Sequence, residues 1–229
     1  MLESSIVSPE PHEWPTRVEQ ARAIQEALRD SVERRDDFGR IERIAGVDIG
    51  VDRRTNRAHA AVVVLDYPGC RPLAQATAHQ PIRFPYVPGY LSFREVPPIL
   101  AALEQLPAPP DLIICDGHGI AHPRRFGLAC HLGVLTGLPT IGAAKSRLTG
   151  HYREPGPEKG DWSELEDRGE IIGAVLRSRA RVQPVFVSTG HRVSLASAVE
   201  TVLTCCRKYR LPETTRAAHR LASGDGKYA

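Results

Sequence analysis

The segment DLIICDGHGI, residues 111–120, decides the fold class. Its run from Leu112 to Cys115 is apolar without interruption, which is typical of a strand buried on both faces of a sheet. A Gly-rich turn follows it, and we expect a helix to begin near Pro123. LPTIGAA, residues 138–144, is the next strand. The sequence therefore predicts a strand–helix–strand unit of a parallel sheet here.

Three further strands are predicted before this unit, at residues 41–51, 59–67 and 72–80. The turn-like sequence DRRTNR separates the first two, so we expect an antiparallel meander. A meander followed by alternating helices and strands predicts a mixed sheet with helices on both faces. The expected fold class is therefore α/β.

Capping patterns mark two of the predicted helices. Thr16 with Glu19 opens the first, and Ser92 with Glu95 opens another that runs through Leu106. The remaining elements are a surface loop, a hairpin and two helices, at residues 150–161, 170–189, 194–209 and 212–222.

The composition predicts one catalytic domain of ordinary size. The chain has 229 residues, of which 41% are hydrophobic, so it can bury a single sizeable core. We expect that domain at residues 14–223, between a flexible arm at 1–13 and a tail at 224–229. The net charge is only +3, so any basic surface for a nucleic acid must be local.

Cysteine use and hydropathy predict a cytoplasmic protein, which we expect to be a monomer. The five cysteines include the adjacent pair Cys205 and Cys206, and they show neither a disulfide framework nor metal-ligand spacing. The start MLESSIVSPEPHEWP lacks the basic residues and apolar run of a signal peptide. No stretch approaches the roughly 18 apolar residues of a membrane span, so we expect no membrane contact.

Two aspartates stand at the predicted strands. Asp48 lies inside IAGVDIGVD, and Asp116 ends DLIICDG, at the carboxyl edge where open α/β sheets bind ligands. Each alone has an ordinary explanation: an aspartate such as Asp48 commonly faces solvent or pairs with an arginine, and one such as Asp116 commonly caps an Asp-Gly turn. Together they favour a divalent cation, because neighbouring carboxylates repel unless a cation lies between them.

Glu95 and His219 are weaker candidates. The third position of a capping box explains Glu95 fully, and the pattern alone favours that cap. His219 falls near the end of the last helix, where surface histidines are common. If three carboxylates converge, hard oxygen ligands favour Mg²⁺ or Mn²⁺, and phosphoryl chemistry is the commonest use of such sites.

The chain resembles the endonuclease V family in four segments that occur in the family's order. They are IAGVDIG, PYVPGYLSFRE, DLIICDGHGIAHPRRFGLACHLGVLTGLPTIGAAKSRLTG and TGHRVSL. The Pro-Tyr-x-Pro element is unusual, and the four segments together extend over nearly the whole chain. The resemblance implies a ribonuclease-H-like fold.

The resemblance also implies a set of catalytic residues. Asp48, Glu95 and Asp116 become the ligands of Mg²⁺, for which Mn²⁺ substitutes, and His219 becomes an accessory ligand. This replaces the cap as the explanation of Glu95. Lys145, which by pattern alone is a solvated loop lysine, is implied to lie against the scissile phosphate and to offset its growing charge.

A wedge and a base pocket are implied as well. The wedge consists of Pro85, Tyr86, Val87 and Pro88, and it enters at the lesion while the altered base turns out. Its ring can stack where a base has left, although outside this motif we would interpret the tyrosine as a core residue. The implied pocket residues are Gly89, Leu91, Gly117 and Ile120. Phosphate contacts are expected from His122, Arg124, Arg125 and Arg147.

The family hydrolyses the second phosphodiester bond 3′ to a deaminated base, chiefly inosine. The resemblance therefore implies a magnesium-dependent endodeoxyribonuclease that initiates repair of DNA containing deoxyinosine. Three alternatives stay open. They are an endoribonuclease acting mainly on inosine in RNA, a module that binds inosine without cutting, and a ribonuclease or junction resolvase of related fold.

Overall fold

The computed structural model describes residues 12–224, which form a nine-stranded mixed sheet with helices on both faces. Most of the predicted arm, residues 1–11, and all but the first residue of the predicted tail, residues 225–229, lie outside the described residues. The strands are β1 (Arg43–Asp52), β2 (Arg57–Asp66), β3 (Pro72–Pro81), β4 (Leu112–Cys115), β5 (Thr140–Ala144), β6 (His151–Tyr152), β7 (Trp162–Asp167), β8 (Glu170–Leu176) and β9 (Val185–His191). The α-helices are α1 (Val18–Leu28), α2 (Ser92–Leu103), α3 (Leu128–Thr136), α4 (Leu195–Cys205) and α5 (Glu213–Ala222).

The strand order is β3-β2-β1-β4-β5-β9-β8-β7-β6. The first three strands form the predicted antiparallel meander, and β1, β4 and β5 are parallel. Val47 pairs with Cys115 across β1 and β4. Because the two strands run in the same direction, Asp48 and Asp116 follow at neighbouring positions on the carboxyl edge of the sheet.

Both faces of the sheet are buried, as the apolar run of β4 predicts. Ile114 packs in a core beneath α4 and α5, with Val202 and Ala217. Ile113, the neighbouring residue, packs in the opposite core with Ile99 of α2 and Leu132 of α3. Alternate residues of one strand thus supply two cores, which is the layered α/β arrangement.

Two glycines allow α5 to lie directly on β1. A Cβ atom at Gly46 would come within 2.1 Å of the Thr214 carbonyl oxygen, and one at Gly50 within 2.4 Å of the Ala222 carbonyl oxygen. Any larger residue would push the helix away from the strand. This close approach holds His219, in the last turn of α5, above Asp48 of β1.

The prediction that a helix begins near Pro123 is wrong, because α3 begins at Leu128. The intervening residues form an irregular loop that is bonded to β9. Gly119 donates to the Ser188 hydroxyl at 2.9 Å, and Ile120 donates to the Thr189 carbonyl at 2.8 Å. These tertiary hydrogen bonds take the place of a first helical turn.

Other boundaries differ from the prediction for local reasons. The capping box predicted from Thr16 and Glu19 is replaced by a contact one residue further along. The Arg17 backbone nitrogen donates to Oε1 of Gln20 at 3.3 Å. Strand β7 was missed because its sequence, WSELED, is polar and only partly buried. The short strand β6 lies in the predicted surface loop. No helix among residues 12–224 has the length and apolar character needed to cross a membrane.

Candidate active site

Asp48 and Asp116 lie side by side at the carboxyl edge of the sheet. Burial raises the pKa of Asp48, a hydrogen bond from His219 lowers it, and the negative charge of Asp116 raises it again. Asp116 is thus close enough for its charge to act on Asp48. The strand register therefore brings together the two acids that stood out in the sequence.

Glu95 completes an acidic cluster from the first turn of α2. Burial, together with the negative charges of Asp48 and Asp116, raises the pKa of its carboxyl to about 8. The predicted capping box does not form, because Leu91 is the N-cap and no side chain caps the helix. Ser92 instead places its hydroxyl 3.1 Å from Nδ1 of His131. The glutamate is thus directed to the sheet edge and not to the helix end.

Two basic side chains contact this cluster. Nδ1 of His219 lies 2.7 Å from Oδ2 of Asp48, and Nζ of Lys145 lies 2.5 Å from Oδ2 of Asp116. Arg210 donates to the carbonyl oxygen of Lys145 at 2.5 Å and so fixes the loop after β5. All five residues predicted for the catalytic centre therefore meet at one place.

The cluster suits a hard divalent cation by its donor chemistry. Three carboxylates meet at the sheet edge, and burial together with the charges of Asp48 and Asp116 keeps Glu95 protonated near neutral pH. Oxygen donors of this kind match Mg²⁺ or Mn²⁺. As arranged, no three His, Cys, Asp or Glu side chains within residues 12–224 are placed to hold a metal ion. Asp48 and Asp116 are instead turned toward His219 and Lys145.

A cavity of about 270 Å³ opens beside the acidic cluster. Glu95 and Asp116 line one side of it, and Tyr86 lines another. Of the predicted pocket residues, Gly89, Leu91 and Gly117 line the cavity. Ile120 does not, because it is buried with Phe126 and Cys130 in a separate apolar cluster.

Gln25 is a cavity residue that sequence reasoning missed. It belongs to α1, whose sequence pattern predicts a purely structural helix. Its side chain is nevertheless buried and lines the cavity. Its amide nitrogen donates to the carbonyl oxygens of Gly89 at 3.0 Å and Phe126 at 3.1 Å. His118 was missed too, and its Nε2 lies 3.0 Å from the carbonyl oxygen of Ser146 across the cavity mouth.

The carbonyl oxygen of Gly89 is the anchor of the loop that precedes α2. Besides the bond from Gln25, it accepts one from Nε2 of His122 at 2.9 Å and one from Arg124 at 2.8 Å. Gly89 has φ +80°, a conformation that favours glycine. Three donors on one oxygen hold this end of the predicted wedge rigidly.

The predicted wedge itself projects from the surface. Tyr86 is 69% exposed, although it is a large aromatic residue, and its ring has Arg94 beside it with 6.0 Å between the guanidinium carbon and the ring centroid. This excludes the alternative of a buried core tyrosine. Pro85 and Pro88 flank the exposed ring and restrict the loop.

The predicted phosphate contacts fall into two groups. His122 is buried, and burial with the nearby charge of Arg124 lowers its pKa to about 3, so it is uncharged at neutral pH. Arg125 forms ion pairs with Asp167 at 2.8 Å and with Glu170 at 2.6 Å. Arg124 donates a hydrogen bond to Oε1 of Gln25 at 2.5 Å. Arg147 alone of the four is exposed, with its guanidinium carbon 5.7 Å from the Tyr152 ring centroid.

The fold and the site together define a class of protein. A mixed sheet with a meander, parallel central strands and acidic side chains at their carboxyl edge has the ribonuclease-H-like α/β arrangement. The endonuclease V of Streptomyces avermitilis has the same fold, with a TM-score of 0.89 and 49% identity over 94% of this chain and 96% of that one.

The chain belongs to the endonuclease V family. The family model Endonuclease V matches residues 26–220. The endonuclease V of Trichormus variabilis is 53% identical over 215 residues, which are 93% of this chain and 97% of that protein. The Ciona intestinalis endonuclease V in complex with a 24mer DNA containing an inosine followed by a ribo-adenosine has a TM-score of 0.78 and 28% identity, over 91% of this chain and 97% of that chain.

Proposed function

We propose that this protein is a metal-dependent endonuclease that recognises deaminated bases, chiefly inosine, in nucleic acid. In this proposal it hydrolyses the second phosphodiester bond 3′ to the lesion and leaves 3′-hydroxyl and 5′-phosphate ends. One observation carries the proposal: Glu95 and Asp116 line the same cavity as the exposed Tyr86. A site for base recognition and a site for phosphate chemistry are thus continuous.

The cavity is suited to a single base turned out of a strand. Its volume of about 270 Å³ lies just below the range of small-molecule pockets, which begins near 300 Å³. Backbone groups at Gly89 and Gly117 line it, and these can read the 6-carbonyl and protonated N1 that distinguish inosine from adenine. Tyr86 would stack in the gap that the base leaves.

Asp48, Glu95 and Asp116 would hold Mg²⁺, or Mn²⁺ in its place, with His219 as an accessory ligand. The bound cation would supply Lewis-acid activation of water and neutralise phosphate charge. His219 orients the carboxylate of Asp48 through its 2.7 Å contact. Lys145, released from Asp116, would donate to the phosphate oxygens as their negative charge grows.

The relatives support DNA containing deoxyinosine as a substrate. The Ciona intestinalis protein, of the same family, binds a DNA containing an inosine. We propose the same ligand here and therefore a part in starting DNA repair.

The proposal is tested by parallel cleavage in Mg²⁺ of single- and double-stranded DNA and RNA that carry one inosine. Matched adenine strands, RNA–DNA hybrids and four-way junctions serve as comparisons. We expect a nick between the first and second nucleotides on the 3′ side of inosine, and none in the adenine strands. Binding without nicking, or equal cutting of hybrids and junctions that lack inosine, would contradict the proposal. A strong preference for RNA would keep the reaction but change its substrate.

A further inference from the structure

A second concavity of about 460 Å³ lies on the far side of α2 from the catalytic cavity. Helix α2 separates the two. Ser92 and Glu95 face the cavity, whereas Arg94, Pro97 and Ala101 face this second concavity, here called the outer groove. Other residues of the outer groove come from the segments before α1 and around the end of β3, namely Trp14, Pro15, Gln80, Pro81 and Arg83.

Tyr86 stands at the junction of the two concavities. It lines the catalytic cavity, and the guanidinium carbon of Arg94, which lines the outer groove, lies 6.0 Å from its ring centroid. A wedge at this position separates a ligand in the catalytic cavity from a ligand in the outer groove.

The arginines of the outer groove are available to a ligand. Within residues 12–224, the guanidinium groups of Arg83 and Arg94 form neither an ion pair nor a hydrogen bond. In contrast, Arg124 and Arg125 on the cavity side are held by Gln25, Asp167 and Glu170. Arg147 is exposed on the cavity side, and Arg83 and Arg94 add uncommitted positive charge on the groove side, where Glu104 is the one acid among the lining residues.

The wall of the outer groove suits a flat, partly polar group. Pro97 and Pro98 carry no N–H, so the carbonyl oxygens of Phe93 and Arg94 receive no helical hydrogen bond from the residues four positions ahead. The residues that carry these carbonyl groups and the two prolines lie next to each other along the groove. A nucleobase offers the complementary apolar face and polar edge.

We propose that the outer groove binds the strand opposite the lesion when the substrate is a duplex. This rests on the proposed function and deepens it. When Tyr86 enters the base stack, the inosine strand passes to the catalytic cavity and the complementary strand passes over α2. Arg83 and Arg94 bind phosphates of that strand, and the wall at Trp14 and Pro97 holds the base that has lost its partner. A single-stranded substrate leaves the groove without a role.

The test compares wild type, Arg83→Ala and Trp14→Ala on one inosine oligonucleotide, presented as a single strand and as a duplex. Arg40→Ala is the matched control, because Arg40 is 87% exposed on its side chain and precedes the opposite end of β1. We expect Arg83→Ala to lower kcat/KM on the duplex about fivefold to tenfold. We also expect its salt dependence of duplex binding, the slope of log K against log salt, to weaken by about one.

Cleavage of the single strand should change less than about twofold in both groove variants, which also shows that they are folded. Equal losses of kcat/KM on the single strand and the duplex, or no loss on either, would overturn the groove assignment. The proposed nuclease function would still stand. If wild type nicks no inosine strand, the proposed function itself fails, and the groove assignment fails with it.

Discussion

At the scale of single residues, buried polar groups fix the geometry of the cavity. Gln25 joins α1, the loop at Gly89 and the loop at Phe126 through one side-chain amide. Its Oε1 accepts from Nε of Arg124 at 2.5 Å. One residue thus satisfies three partners from two distant parts of the chain, and its loss leaves buried groups with fewer hydrogen bonds.

Gln25→Leu should therefore destabilise the protein by about 1–3 kcal/mol, because the Phe126 carbonyl and the Arg124 guanidinium lose their partners. Urea unfolding measures this. Gln105→Leu is the control, since Gln105 is exposed and bonds only to the nearby Ala101 carbonyl; its change should stay within about 0.5 kcal/mol. Equal stability of the two variants would show that the Gln25 hydrogen bonds contribute nothing.

The candidate site was predictable from the sequence only in part. Asp48 and Asp116 stand out because a carboxylate in or at the end of an apolar strand needs a reason. Glu95 was assigned by resemblance, since its local pattern equally fits a cap. Gln25 could not be found, because its partners lie 64 and 101 residues away and nothing in its helix marks it.

At the scale of elements, the wedge loop connects the meander to α2. Its base is anchored at Gly89, and its tip exposes Tyr86. An exposed aromatic ring on an anchored loop loses little conformational entropy on binding, so its stacking energy is available for recognition.

Tyr86→Ala should weaken binding to an inosine strand by about 1–3 kcal/mol, the usual value of one base–aromatic stack. Fluorescence anisotropy measures this without turnover if Mg²⁺ is omitted. Tyr86→Phe keeps the ring and should bind within about twofold of wild type. An alanine variant that still prefers inosine over adenine as strongly as wild type would remove the wedge from recognition.

The elements were predicted best where periodicity is strong. The meander and the buried strand β4 follow directly from their apolar patterns. Strand β7 was missed, since it is polar and its pairing with β8 is decided by the tertiary structure. The start of α3 was placed five residues early, because a proline in a Gly-rich turn resembles a helix start until β9 takes its backbone hydrogen bonds.

At the scale of the whole molecule, buried neutral histidines couple stability to pH. Burial and Arg124 lower the pKa of His122 from 6.5 to about 3, and burial also lowers the pKa of His131 far below 6.5. Between these values the unfolded chain binds more protons than the folded one. Stability is therefore fully present above pH 6.5 and is lost as the pH falls toward 3.

His122→Gln should lose less stability than wild type between pH 7 and pH 4, because glutamine can still donate to the Gly89 carbonyl but does not titrate. Over this pH range, wild type should lose on the order of 3 kcal/mol more of its free energy of unfolding than the variant. Urea unfolding at several pH values measures it. His151→Gln, at a side chain 74% exposed, should follow wild type. Parallel curves for wild type and His122→Gln would show that His122 is not held neutral.

The most direct test of the account is Mg²⁺-dependent nicking of an inosine strand by wild type and by Asp48→Asn, Glu95→Gln and Asp116→Asn. These substitutions keep the size of each side chain and replace its carboxyl with an amide, which binds Mg²⁺ more weakly. Asp30→Asn is the control, since the side chain of Asp30 is 85% exposed and pairs with the neighbouring Arg29. We expect the nicking rate of each site variant to fall about a thousandfold, while the control nicks at the wild-type rate. Full activity of any site variant at saturating Mg²⁺, or wild-type nicking that persists in EDTA, would contradict it.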